Sequence, residues 1–193
     1  YDPAAAEKIL QSDGWKKSSD GIYIKNGKPC EVTFWFNSNN TQEKAIAEAI
    51  QSDLAKVGIR MNIRGEEKQA YLDRQRTGKF DMQYSLSWGA PYDPQSYFSS
   101  WRIPAHGDFQ AQTGLPDKAL IDREITSLMT EQSETKRAAM IRDILTRIHD
   151  SAVYVPISYS RTKAVYRTSL SGVGFRVSQY EIPFEDMFFK DAK

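Results

Sequence analysis

Apolar and polar positions along this chain change period several times, and each change predicts an element. The first is a short helix, with Asp2 as N-cap, Pro3 at the first helical position, residues 4–10 as body and Gly14 as stop. Ile22-Tyr23-Ile24 and Val32-Thr33-Phe34-Trp35-Phe36 then read as strands, and Asn26-Gly27 between them predicts a hairpin turn, because its two central positions need positive φ. From Asn40 the period lengthens to that of a helix. Asn40 and Glu43 have capping-box spacing, and Ile46, Ala49, Ile50, Leu54 and Val57 share one face until Gly58. Ile59, Met61 and Ile63 alternate with Arg60, Asn62 and Arg64, which predicts a strand with one buried and one polar side.

Glu66-Glu67-Lys68 opens a second expected helix, over residues 67–76, that stops at Gly78. Residues 80–88 return to period two, with Phe80, Met82, Tyr84, Leu86 and Trp88 on one side. Strands separated by helices imply βαβ units, hence an α/β fold with a partly parallel sheet and right-handed crossovers. Trp88 then falls at the carboxyl end of a strand, the edge at which open α/β sheets hold ligands. Two longer helices are expected at residues 117–130 and 134–149, the second capped by Ser133. Their stripes (Leu120, Ile121, Ile125, Leu128; Ala138, Ile141, Ile144, Leu145, Ile148) suit a core. Tyr154-Val155-Pro156-Ile157-Ser158-Tyr159 and Lys163-Ala164-Val165-Tyr166 read as further short strands, and the tail from Gly174 is aromatic without a clear period.

Composition narrows the function classes. With 40% hydrophobic residues over 193 positions the chain can bury a core, so one domain is expected. Lys and Arg number 26 against 25 Asp and Glu, a balance that provides no long-range field for nucleic acid or an anionic membrane. Cys30 is the single cysteine, which excludes an intrachain disulfide and a thiolate metal cluster. No run approaches the ~20 apolar residues of a membrane span. The opening Tyr1-Asp2-Pro3-Ala4 has neither an initiator Met nor the apolar region of a signal peptide, so the chain is expected to be part of something longer. Gly-x-Ser-x-Gly, phosphate-loop, His-Glu-x-x-His and dinucleotide motifs are all missing, and no enzyme is expected.

The candidate chemistry concentrates in Trp88-Gly89-Ala90-Pro91-Tyr92-Asp93-Pro94 and the following Ser99-Ser100-Trp101-Arg102-Ile103-Pro104-Ala105-His106. Aromatic side chains, turn-forming prolines and one of the chain's 2 histidines in one stretch suit a concave site. Read from residues alone, Trp88 and Tyr92 fit either a pocket wall or a core, and a lone His fits a structural role as well as a ligand. His149 ends a helix, where an imidazole complements the dipole, and a structural role is expected for it. Asp93 before Pro94 reads as the N-cap of a helix through Tyr97 and Phe98 rather than as an acid catalyst.

Several segments together carry a resemblance: Tyr1-Asp2-Pro3 through Trp15, Val32-Thr33-Phe34, the helix end at Ala49 to Gly58, Trp88 to Pro94, and Tyr154-Val155-Pro156-Ile157. They resemble the C-terminal lobe of the peptide/nickel class of ABC-transporter solute-binding proteins over nearly the whole chain. Arg74-Gln75-Arg76-Thr77-Gly78, the Trp88 loop, Asp108-Phe109-Gln110-Ala111-Gln112 and residues 143–150 resemble the nickel-binding members in particular. The resemblance implies a periplasmic-binding-protein-like α/β lobe with a mixed sheet flanked by helices. Residues 1–193 would form one lobe of a monomeric two-lobed clamshell, with roughly 174–193 returning to the missing N-terminal lobe. It further implies delivery of cargo to an ABC-transporter permease and a periplasmic or lipid-anchored extracellular location, with no nucleic acid involved.

By the same resemblance His106 is the metal ligand, Trp88 and Tyr92 line the cavity, and Tyr71 and Arg74 are further ligand-binding candidates. The cargo that the resemblance implies is nickel ion. One imidazole cannot fill a Ni(II) coordination shell, so a small organic chelator is expected to supply the rest. The chain departs from the nickel-binding pattern at residues 83–87, Gln95 and Trp101, where the pocket wall is expected to differ. Dipeptide or oligopeptide binding is the alternative within the class. Its members read Trp-x-Ala-Asp-Tyr-x-Asp-Pro, the first Asp pairing with the peptide ammonium, and Pro91 stands where that Asp would fall. An ammonium buried without its carboxylate is strongly disfavoured, which favours the nickel complex.

Overall fold

A computed structural model describes residues 1–86, 94–159, 161, 163–178 and 181–190. Asp2 starts α1 (Pro3–Ser12) by accepting the Ala5 amide at 2.9 Å, and the missing N–H of Pro3 costs nothing in the first turn. Strands β1 (Lys16–Lys17), β2 (Tyr23–Lys25) and β3 (Lys28–Pro29) form an antiparallel sheet. Asn26 and Gly27, at φ 53° and 75°, make the expected turn. Its second arm differs from expectation: it is Lys28–Pro29, not Val32–Phe36. Pro29 has no N–H to extend the ladder, and the chain leaves for a different sheet after Cys30.

That second sheet is the frame of the first unit. Strands β4 (Glu31–Asn37), β5 (Arg60–Glu66) and β6 (Met82–Gln83) are all parallel, in the order β5-β4-β6, so the β4 backbone is paired on both edges. The crossovers are α2 (Thr41–Lys56) and α3 (Lys68–Thr77), as the alternating periods predict. Among the described residues the parallel and the antiparallel pairings occur in separate sheets. Phe34 and Phe36 point to α2 and are buried with Ala47 and Met61, while Trp35 between them points to α3. The Asn40 side chain accepts the Gln42 and Glu43 amides, and buried Glu43 reaches back to the Asn37 amide at 2.9 Å. The inward stripe of α2 is Glu43, Ala47, Ile50 and Leu54; Ala49, expected inside, is exposed.

Of the strand expected at 80–88, the described residues 80–86 form only Met82–Gln83. Leu86 is 69% exposed, so its place in the alternation does not mark a buried face. Trp88 lies outside the described residues.

By its contacts the chain divides into two units, Tyr1–Leu86 with Ile103–Ala111, and Ser87–Arg102 with Gln112–Lys193. Helices α4 (Pro94–Ser100) and α5 (Gly107–Gln112) precede α6 (Lys118–Leu128) and α7 (Glu134–Asp150), the last capped by Ser133 as expected. The core of the second unit is Phe98, Trp101, Ile121, Ile125, Leu128, Ile144 and Ile148. Its strands are β7 (Leu170–Ser171) and β8 (Phe188–Phe189), an antiparallel pair. The strands expected at 154–159 and 163–166 do not form among the described residues. Tyr154 turns inward to stack on Trp101 at 6.1 Å, but Tyr159 and Val165 are 99% and 100% exposed. Strand propensity needs a neighbour to pair with, and the described residues offer none there. No helix among them is long and apolar enough to cross a membrane.

Candidate functional site

A parallel sheet brings the carboxyl ends of its strands to one edge, and in the first unit that edge carries the candidate residues of α3. Glu66 is the last residue of β5. Arg74, two turns into α3, donates from Nε to Glu66 Oε2 at 2.8 Å and from Nη2 to Oε1 at 2.5 Å, a bidentate pair. Its guanidinium carbon sits 3.4 Å from the centre of the Trp35 ring, and Nη1 donates to the Lys79 carbonyl at 2.8 Å. Both charges are mostly covered, with side-chain exposures of 23% and 19%. The guanidinium holds the Glu66 carboxyl below the usual carboxylate range.

Tyr71 lies one turn earlier and is buried, its hydroxyl donating to the Tyr84 carbonyl. The Gln83 amide returns a bond to the Tyr71 carbonyl at 3.2 Å. Burial, with the Glu43 charge in second place, pushes the Tyr71 hydroxyl above the ordinary tyrosine range, so it stays a neutral donor. Tyr71 and Arg74 thus anchor α3 to the strand ends.

His106 belongs to the same unit. Its amide closes a turn onto the Ile103 carbonyl at 2.9 Å, and its carbonyl accepts the Gln110 amide at 3.2 Å as α5 begins. The imidazole is half-buried and makes no hydrogen bond among the described residues, which leaves its nitrogens available to a metal. This turn packs on α3. Gly78, the left-handed C-cap of α3 at φ 65°, leaves room for the Gln110 side chain: a Cβ there would stand 2.5 Å from Gln110 Oε1. A Cβ on Gly107 would collide with Gln75.

The fold therefore places Tyr71, Arg74 and His106 in one unit, the first two on α3 and the third on a turn packed against it. Trp88 and Tyr92 lie outside the described residues. His149 is a surface residue beside Asp150, at the end of α7. Cys30 is half-buried, and burial pushes its thiol up, away from reactivity. No group of three or more His, Cys, Asp or Glu among the described residues could hold a metal ion. A single imidazole can instead complete the shell of a metal that arrives with its own ligands. Sequence reasoning missed Glu66, Trp35, Gln75 and Gln110. Only for Glu66 was there a signal, an acid just ahead of the α3 cap Glu67, which accepts the Gln69 amide at 2.8 Å.

Residues 1–109 match the family described as bacterial extracellular solute-binding proteins, family 5 Middle. The nickel-binding periplasmic protein of Escherichia coli (strain K12) is 43% identical over 97% of this chain and 36% of its own length. Di/tripeptide-binding protein 4 of Pseudomonas aeruginosa (strain UCBPP-PA14) is 26% identical over 89% of this chain and 31% of its own. The crystal structure of NikA from Brucella suis in complex with Fe(III)-EDTA superposes with a TM-score of 0.91 at 44% identity, covering 98% of this chain and 38% of that one. The chain thus spans about a third of the length of the curated relatives it matches. The α/β lobe of periplasmic-binding-protein type expected from the sequence is the fold of that neighbour. The chain belongs to the bacterial extracellular solute-binding proteins, family 5.

Proposed function

We propose that this chain is the C-terminal lobe of a two-lobed extracytoplasmic protein that captures a nickel–chelator complex and passes it to an ABC-transporter permease. The observation that carries this reading is His106: a half-buried imidazole with no hydrogen bond among the described residues, and no neighbouring set of ligands to complete a metal site. Such a donor suits a chelate better than a bare ion. A relative 44% identical to this chain was solved in complex with Fe(III)-EDTA, a metal wrapped in an organic chelator, and another, 43% identical, is a nickel-binding periplasmic protein.

His106 is assigned as the metal ligand, and Trp88 and Tyr92 as the aromatic wall of the cavity. Tyr71 and Arg74, already committed within the lobe, fix the strand-end edge beside which the chelate sits. Ligand contacts to both lobes would stabilise a closed state, so the lobe alone holds the chelate weakly. Exposed apolar residues after Gly174, among them Val177 at 80% and Phe184 at 72%, support a return of roughly 174–193 to the N-terminal lobe. The protein acts as a monomer, in the periplasm or lipid-anchored outside the cell.

Peptide binding is the second reading, favoured by the 26% identity to a di/tripeptide-binding protein and opposed by Pro91. Calorimetric titration of the full-length two-lobed parent protein decides between them, using Ni(II) with and without excess free histidine, on wild type and His106→Ala. Tight binding that needs histidine and falls in the variant is the expected result. No heat with nickel under either condition would return peptides to first place.

A further inference from the structure

We propose that Gln110 is the positioning residue that aims His106, an inference that rests on His106 ligating the nickel chelate. A metal-binding histidine is usually held in orientation by an acceptor on its second ring nitrogen. Among the described residues His106 has none, so the hydrogen-bonded support left to position its ring is the backbone of its own turn.

Gln110 governs that backbone from both sides. Its amide N–H donates to the His106 carbonyl at 3.2 Å, and its side-chain Nε2 donates to the Pro104 carbonyl at 2.7 Å. One residue therefore grips the chain two positions before the imidazole and again at the imidazole's own peptide. The other end of the side chain, Oε1, rests against Gly78 at the C-cap of α3, a contact possible only because that residue lacks a Cβ. Gly107 against Gln75 supplies a second point of close approach. The His106 turn is thereby registered on the helix that carries Tyr71 and Arg74. The side-chain bond of Gln110 does from the backbone what a carboxylate partner does in other metal sites.

The test uses the full-length two-lobed parent protein, titrated with Ni(II) in excess free histidine, in wild type, Gln110→Ala, Gln110→Glu, His106→Ala and the Gln110→Ala/His106→Ala double variant. Gln110→Glu keeps the shape that packs on Gly78 and replaces the amide donor by a carboxylate that cannot donate to the Pro104 carbonyl, so it covers the case in which the alanine variant folds poorly. Both Gln110 variants should weaken binding on the order of 10-fold. The ligand-field absorption of bound Ni(II) should shift towards that of His106→Ala, which general loosening of the fold would not do. In the His106→Ala background, removing Gln110 should cost nothing further in residual affinity. Wild-type affinity in both Gln110 variants, or the same loss with and without His106, would overturn the role of Gln110 while leaving the site intact. An unchanged His106→Ala would overturn the nickel site itself, and this inference with it.

Discussion

Arg74 sits over Trp35, with its guanidinium carbon 3.4 Å from the ring centre, while the same guanidinium holds both oxygens of Glu66. One side chain on α3 thus joins the middle strand of the sheet to the end of its neighbour. Lysine at this position would keep the charge but lose the bidentate fork and most of the stacked area. Arg74→Lys should destabilise the chain by about 1–2 kcal/mol, and Arg74→Ala by more, since it leaves the Glu66 carboxylate covered and unpaired. Urea unfolding of the two variants against wild type measures both.

The same pair makes stability depend on acid. Glu66 titrates below its ordinary range when folded, chiefly through the hydrogen bonds from Arg74. A depressed folded-state pKa gives stability that is complete above the unfolded value of about 4.3 and is lost as pH falls through the folded one. The urea midpoint of wild type should therefore drop more steeply below about pH 4.3 than that of Glu66→Gln. Parallel curves for the two proteins would remove the pair from the account.

His106→Ala should leave the fold alone. The imidazole is half-buried and bonds to nothing among the described residues, while the turn itself is held by backbone groups that alanine keeps. A change within about 0.5 kcal/mol is expected in thermal or urea unfolding. Loss of nickel binding in this variant would then report on the ligand and not on folding.

In the second unit, Trp101 is 1% exposed and its indole N–H has no partner in the described structure. A buried donor left unpaired costs about 1–3 kcal/mol, and Trp101→Phe removes it while keeping an aromatic ring among Phe98, Tyr97 and Tyr154. The variant should lie within about 1 kcal/mol of wild type, where Trp101→Ala should lose roughly 3–5 kcal/mol. Equal losses from the two substitutions in denaturant titration would show that the indole is needed whole.

Features set by neighbours in sequence were legible before any fold was known. The caps at Asp2, Asn40 and Ser133, the turn at Asn26-Gly27 and the left-handed stop at Gly78 all stand where local chemistry puts them. Pairing across distance was not legible. Val32–Phe36 has the composition of a hairpin arm, and only the arrival of β5 and β6 on its two edges decides that it is the centre of a parallel sheet. Val155, Tyr159 and Val165 have strand propensity and no strand to pair with among the described residues. The candidate site divides the same way. His106 stood out by residue type and by its resemblance to a known motif, whereas Gln110 and Glu66 matter through partners that lie 32 and 8 positions away, which no periodicity announces.

Strand β4 is made before either strand that covers it. As the chain folds, the β1-β2-β3 sheet can close from local contacts, but the apolar Val32–Phe36 segment must wait for β5, and for Met82–Gln83, before both its edges are occupied. Through that interval it is a β-prone stretch open to the same stretch of another unfolded chain. The yield of folded protein should accordingly fall as chain concentration rises during refolding, because the open edges of this segment set the loss more than the stability of the finished sheet does.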